Sequence, residues 1–334
     1  MDIGGNGGVA LEGWLLGPRT RHHCNTSVNI ASCQVQDRIV GGNTASIQNY
    51  PWQVNLRYQY APACGASIIS NQWLLTACHC FPAEHAVSDY DAVVGTTNLD
   101  STDANSQSVL IDSVIKNPSY NEDAFSGDIA LVKLKTPLTM GPGVGIISLL
   151  AAGVQIPAGL TCYVTGWGSI RNGVLLPNPK PLQVGGVQVI SSRTCQCLHS
   201  INPSKSDAIT TIQSDMICAG SKEGKVDACQ VHSGGPLSCN INNKWYQIGV
   251  VSWGDECGAV NRPGVYILPS AYIDWIQSNV PGCRVESITI DKQPIPDEEL
   301  GCQGADGNYY PYKERDYAIW HLKGQSRFPC SAGT

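Results

Sequence analysis

The sequence predicts an all-β protein, a sandwich or barrel, closed by one short helix. Three observations carry this expectation: short apolar runs recur through residues 39–280, Gly, Pro and Asn separate them, and a single late segment keeps helical spacing. In order, the runs are Trp52-Gln53-Val54-Asn55-Leu56, Ala92-Val93-Val94, Ser108-Val109-Leu110-Ile111, Ile129-Ala130-Leu131-Val132 and Ile248-Gly249-Val250-Val251. Each has strand length and β-branched residues that suit a pleated, half-buried surface. In the helical segment, Ile273, Ile276 and Val280 fall on one face, Ser270 stands as the N-cap and Pro281 as the stop.

Composition narrows the classes. At 334 residues, with 42% hydrophobic and 14% charged positions, the chain reads as compact rather than disordered. A formal charge of -6 with no Lys/Arg run excludes a phosphate-binding nucleic-acid surface. No stretch is long and apolar enough to span a membrane, and no cofactor is called for. The 15 cysteines are the informative residues. In Cys78-His79-Cys80 and Cys195-Gln196-Cys197 a single residue separates the sulfurs, whereas structural zinc takes about two to four, so disulfides are expected and a metal is not. Disulfides imply an oxidising, extracellular setting. The sequon Asn25-Thr26-Ser27 agrees with export. Residues 1–38 hold only the short apolar patches Val9-Ala10-Leu11 and Trp14-Leu15-Leu16, so a signal peptide is not visible and the expected leader lies outside this sequence. Three sections result: an N-terminal extension over 1–38, a main domain over 39–280 and a Cys-containing tail over 281–334.

Hydrolysing a peptide with serine takes a nucleophile, a base and an anion that orients the base. His79 ends the apolar stretch Leu74-Leu75-Thr76-Ala77-Cys78-His79-Cys80, Asp128 heads Asp128-Ile129-Ala130-Leu131, and Ser233 sits in His232-Ser233-Gly234-Gly235-Pro236, a Gly-rich turn able to expose its hydroxyl. Together, in this order, they resemble the chymotrypsin–trypsin family of serine proteases. Further motifs extend the resemblance from Ile39 to about Val280: Ile39-Val40-Gly41-Gly42, Gly166-Trp167-Gly168, Ser252-Trp253-Gly254 and Pro263-Gly264-Val265-Tyr266. The resemblance implies two packed antiparallel β-barrels with the site between them and a C-terminal helix. It makes Ser233 the nucleophile, His79 the base and acid, and Asp128 the holder of the imidazole tautomer. Ser252, Trp253 and Gly254 would carry the substrate as an added strand. Asp227 would lie at the base of a pocket walled by Gly254 and Gly264 and select Arg or Lys, with Ala228 leaving the choice between the two open. Asp37-Arg38 before Ile39 looks like an activation cut made by a trypsin-like protease, so the polypeptide substrate is not the sole partner implied.

The same match implies disulfides Cys64–Cys80, Cys162–Cys239, Cys195–Cys218 and Cys229–Cys257. Seven cysteines are left, and the odd number implies a free thiol or an interchain link. Cys78 replaces a small Ala and is expected to be a buried inert thiol. A Cys78–His79 nucleophile pair is disfavoured, because strand neighbours point to opposite faces. The loop Val231-His232-Ser233-Gly234-Gly235 departs from the family's Gly-Asp-Ser-Gly-Gly. Val231 must then share the oxyanion hole with Ser233 although β-branching disfavours the backbone that Gly allows. His232 cannot offer Ile39's new ammonium a negative charge. The expected function is therefore a secreted trypsin-like endopeptidase made as a zymogen, with a catalytically weak pseudoprotease acting as a binding module as the alternative. The tail, with Cys302, Tyr309, Tyr310, Trp320 and Cys330, loosely resembles peritrophin-type chitin-binding modules. Tyr317 stands where such a module has a cysteine, so a degenerate module is expected and chitin is the lesser expectation as a partner.

Overall fold

The computed structural model describes residues 43–101, 103–168, 176–201, 211–220, 233–254 and 261–291, and the backbone of 302–303 and 309–310. All belong to the unit Asp37–Thr334. Arg38, Ile39, Asp227, Cys229, Val231, His232 and Cys257 lie outside the described residues, as do Asn25, Tyr317, Trp320 and Cys330.

A short β1 (Asn43–Thr44) opens the described chain. The first barrel takes β2 (Gln53–Tyr58), β3 (Ala61–Ile68), β4 (Trp73–Thr76), β5 (Tyr90–Val94), β6 (Gln107–Lys116) and β7 (Ala130–Leu134). It closes in the order β2-β3-β4-β7-β6-β5, so no edge is left open. Then come β8 (Ser148–Leu150), β9 (Thr161–Gly166), β10 (Gln183–Ile190), helix α1 (Ser192–His199), β11 (Met216–Gly220), β12 (Pro236–Ile241), β13 (Lys244–Trp253) and β14 (Gly264–Ile267). The second barrel runs β12-β9-β10-β11-β14-β13 and closes where β13 pairs back onto β12. β1 pairs with β10. Helix α2 (Ile273–Asn279) and β15 (Val285–Glu286) follow, and β15 pairs in parallel with β8. In the tail, β16 (Cys302–Gln303) and β17 (Tyr309–Tyr310) form an antiparallel pair. Both expected barrels are thus present, and each apolar run quoted above lies in or against a strand.

Period-two burial explains the barrels. On β10, Gln183, Gly185, Val187 and Val189 are buried while the residues between them are less so. On β5 all five residues are buried, and Asp91 is accommodated because its carboxylate pairs with the Arg57 guanidinium directly across the sheet and accepts from the Ser108 hydroxyl at 2.7 Å. Buried polar pairs also link the barrels: Ser67 Oγ donates to Gln247 Oε1 and Thr165 Oγ1 to Gln53 Oε1, each at 2.6 Å. A buried hydroxyl and amide are tolerated because each finds its partner.

The helix differs in detail from its expectation. Ser270 is not its N-cap. Pro269–Tyr272 forms a 3-10 turn, opened by a proline that needs no N–H partner, and Tyr272 caps α2. Ile273, Ile276 and the C-cap Val280 are buried against the core, as their spacing requires.

Three disulfides form as the resemblance implied: Cys64–Cys80, Cys162–Cys239 and Cys195–Cys218. Cys229–Cys257 falls outside the described residues. Cys197 is also disulfide-bonded, while Cys78 and Cys283 are free thiols among the described residues. Among the described residues no helix is long and apolar enough to cross a membrane.

Candidate active site

His79 stands in a 3-10 turn, Cys78–Cys80, directly after β4. Three residues per turn send successive side chains in three directions. Cys78 points into the core, Cys80 reaches back to Cys64 on β3, and the half-buried His79 ring is left for the cleft. The strand argument that separated Cys78 from His79 is therefore replaced by a turn, with the same outcome. The Cys78 Sγ donates to the Ile129 carbonyl at 3.0 Å, and burial pushes its pKa up to about 11. A thiol held protonated is a poor nucleophile. Cys64 and Cys80 are spent on each other, so their closeness to His79 is no metal site.

Asp128 is 1% exposed, and a carboxylate so buried must be compensated by donors. It has three. The His79 backbone N–H reaches Oδ1 at 3.0 Å, the His79 Nδ1 lies 2.7 Å from Oδ2, and the Ser252 hydroxyl donates to Oδ2 at 2.6 Å. These donors come from the turn after β4 and from β13, so both barrels grip one side chain. Its position is set upstream by Gly127, at φ +66, where a Cβ would lie 2.7 Å from Asn117 Nδ2. Asn117 donates to the Gly127 carbonyl at 3.0 Å, and the Gly127 N–H donates to Asp215 Oδ2 at 2.7 Å. Tyr272 donates to the same Asp215 oxygen, and its own pKa is driven well above the usual phenol value by burial and that carboxylate.

Ser233 is half-buried between the barrels. Its carbonyl accepts from the Gly65 N–H on β3 at 2.8 Å, while the next residue, Gly234, donates to the Val251 carbonyl on β13 at 2.8 Å. Gly234 has φ +77, and a Cβ there would meet Thr76 Oγ1 at 2.1 Å and the Gly65 carbonyl oxygen at 2.6 Å. No other residue fits that turn. Ser233 and His79 line one cavity of about 340 Å³, together with Tyr58, Pro62, Pro82 and His85.

Of the residues expected along the substrate, Trp253 makes ring contacts with Phe125 (centroids 5.7 Å) and His199 (5.2 Å). Gly254 and Gly264 face each other: a Cβ on the first would lie 3.9 Å from the Cα of the second. Ser252 contributes its hydroxyl to Asp128, a role its sequence position does not announce. Asp215, Asn117 and Thr76 also carry the site and were missed. No local pattern marks them, because their partners stand 88, 10 and 11 residues away. Asp227, Val231 and His232 lie outside the described residues.

A buried carboxylate that accepts a proton at imidazole Nδ1 leaves Nε2 as the ring's basic nitrogen, the arrangement acyl transfer to a serine requires. The Trypsin family model matches residues 39–276, a span that takes in both barrels and most of α2. That is well over half of the chain, which belongs to the trypsin family of serine proteases.

Proposed function

We propose that the protein is a secreted, trypsin-like serine endopeptidase that cleaves after Arg or Lys and is made as a zymogen cut after Arg38. The observation that supports this most is the Asp128–His79 pair, with Nδ1 at 2.7 Å and two further donors holding the carboxylate. In this reading His79 Nε2 takes the Ser233 proton as Oγ attacks the carbonyl, then returns it to the leaving amine. The Val231 and Ser233 N–H groups face the developing oxyanion. The substrate lies along Ser252–Gly254, and its basic side chain meets Asp227 between Gly254 and Gly264. Disulfides support an oxidising compartment.

The test is cleavage at Arg38 followed by titration with an acylating arginine ester. One burst equivalent per chain is expected, absent in Ser233→Ala. The second reading is favoured by Val231 and His232: a pseudoprotease whose loop never orders. A chain shown to start at Ile39 that gives no burst establishes it instead.

A further inference from the structure

Helix α1 carries two bridged cysteines, Cys195 and Cys197. Two steps along an α-helix turn the side chain by about 200°, so the pair leave the helix on nearly opposite sides. Cys195 reaches Cys218 on β11. Cys197 must then point away from that strand, yet it is only 6% exposed. Thr194, three residues before it and on the same side, is fully buried as well. Whatever covers that side of α1 also offers a sulfur. Besides β11, the elements that lie against α1 include both strands of the tail hairpin: Cα atoms of β16 and β17 come within 8 Å of those of the helix.

Elimination points to the same hairpin. Cys64, Cys80, Cys162, Cys239, Cys195 and Cys218 are spent on one another, Cys78 and Cys283 are free, and the family resemblance pairs Cys229 with Cys257. Cys24, Cys33, Cys302 and Cys330 are the other candidates. A disulfide needs its two Cα atoms about 4.4–6.8 Å apart, and Cys302 is the one of these four whose strand is placed against α1. We propose that Cys197 is bonded to Cys302, and that this bridge makes the tail hairpin a fixed brace on α1 rather than a free module. The bond forms as the three described ones do: two thiols lose two protons and two electrons to a disulfide donor, which leaves as a dithiol. Helix α1 in turn backs Trp253 and the segment that enters Gly264. The His199 ring centroid lies 5.2 Å from that of Trp253, and His199 Nε2 is 3.0 Å from the Pro263 carbonyl oxygen. The Arg262 guanidinium donates to the Leu198 carbonyl at 3.0 Å and to the Ile201 carbonyl at 2.8 Å.

The test is a peptide map of the full chain, digested at acidic pH without reductant and read by mass spectrometry. A peptide that joins Cys197 to Cys302 and falls into two halves on reduction is expected, from protein that runs as a monomer before reduction. Cys197 joined to any other cysteine, or recovered as a thiol, overturns the bridge. The same link found only in a disulfide-bonded dimer overturns it as a strap within one chain. The brace is read by amide hydrogen exchange over residues 192–199. Cys197→Ser combined with Cys302→Ser, which adds no unpaired thiol, should speed that exchange about tenfold or more, while β2 in the first barrel keeps its protection. Unchanged exchange in α1 overturns the brace. If the double variant does not fold, the peptide map decides without it, since it uses the native chain. Neither readout involves turnover, so both stand or fall independently of the endopeptidase reading.

Discussion

Gly234→Ala tests how Ser233 is held. The new methyl would lie 2.1 Å from Thr76 Oγ1 and 2.6 Å from the Gly65 carbonyl oxygen, on a backbone at φ +77. Thr76 is fully buried and its hydroxyl donates to that same carbonyl at 2.8 Å, so it has no empty space to rotate into. A left-handed backbone costs an alanine about 1 kcal/mol. Overpacking of this kind adds about 1–3 kcal/mol. Breaking the Thr76–Gly65 hydrogen bond adds about 1 kcal/mol more. The expected loss is about 3–5 kcal/mol, a large part of the roughly 5–15 kcal/mol that holds a typical domain. The chain has one other escape, to move the Ser233 turn away from β3. That spares stability but shifts the hydroxyl, and a displacement near 1 Å costs about a hundredfold in rate. Urea unfolding of the disulfide-intact protein, followed by tryptophan fluorescence, measures the first quantity, and hydrolysis of an arginine amide measures the second. Thr76→Ala added to Gly234→Ala should recover part of the loss, because it removes the nearest collision and leaves the Gly65 oxygen. An unshifted urea midpoint together with full turnover would refute the reasoning.

Four further outcomes are expected. Ser252→Ala removes one of three donors to a buried carboxylate and should lower kcat about tenfold with KM for a small ester retained; a raised KM at constant kcat would assign Ser252 to substrate contact alone. Cys78 should resist alkylation in the folded protein at neutral pH, read by mass spectrometry. Because its folded pKa of about 11 stands above the unfolded thiol value of 9.0, the stability it contributes is present below pH 9 and is lost as the pH rises towards about 11; Cys78→Ala should flatten that part of the urea-midpoint profile. Asp227→Ser should abolish the preference for Arg and Lys in a peptide library, and equal cleavage after Phe by the native protein contradicts the pocket assignment. Restoring Val231→Gly with His232→Asp should raise activity about a hundredfold or more after the cut at Arg38, and Ser233→Ala in that background should erase the gain.

The site was legible to different depths. His79, Asp128 and Ser233 could be singled out because each sits in a local motif, and the fold brings His79 Nδ1 within 2.7 Å of Asp128 and puts His79 and Ser233 on one cavity. The three described disulfides were readable for the same reason. The second tier was not. Asp215 holds Gly127 from 88 residues away, and the Ser252 hydroxyl reaches Asp128 across 124. A contact between distant residues leaves no periodicity in the chain. The cap of α2 was misread because Ser270 has the right chemistry in the wrong place: Pro269 opens a 3-10 turn first, and the α-helix begins only after it.

By itself, then, the sequence determined the class and its chemistry. Short apolar runs between turn residues had to pack as a sandwich or close as a barrel, and the serine, histidine and aspartate motifs pointed to the serine protease family. The tertiary structure decided what those motifs could not. It chose two closed six-stranded barrels, brought β4, β7 and β13 together around Asp128, and wedged Gly234 against Thr76. It also stacked His85 on Tyr58 beside Ser233, which no spacing suggests. The physical reason is that strand pairing and burial are local preferences readable one segment at a time, whereas a hydrogen bond or a stacking contact between segments exists only once the barrels have closed.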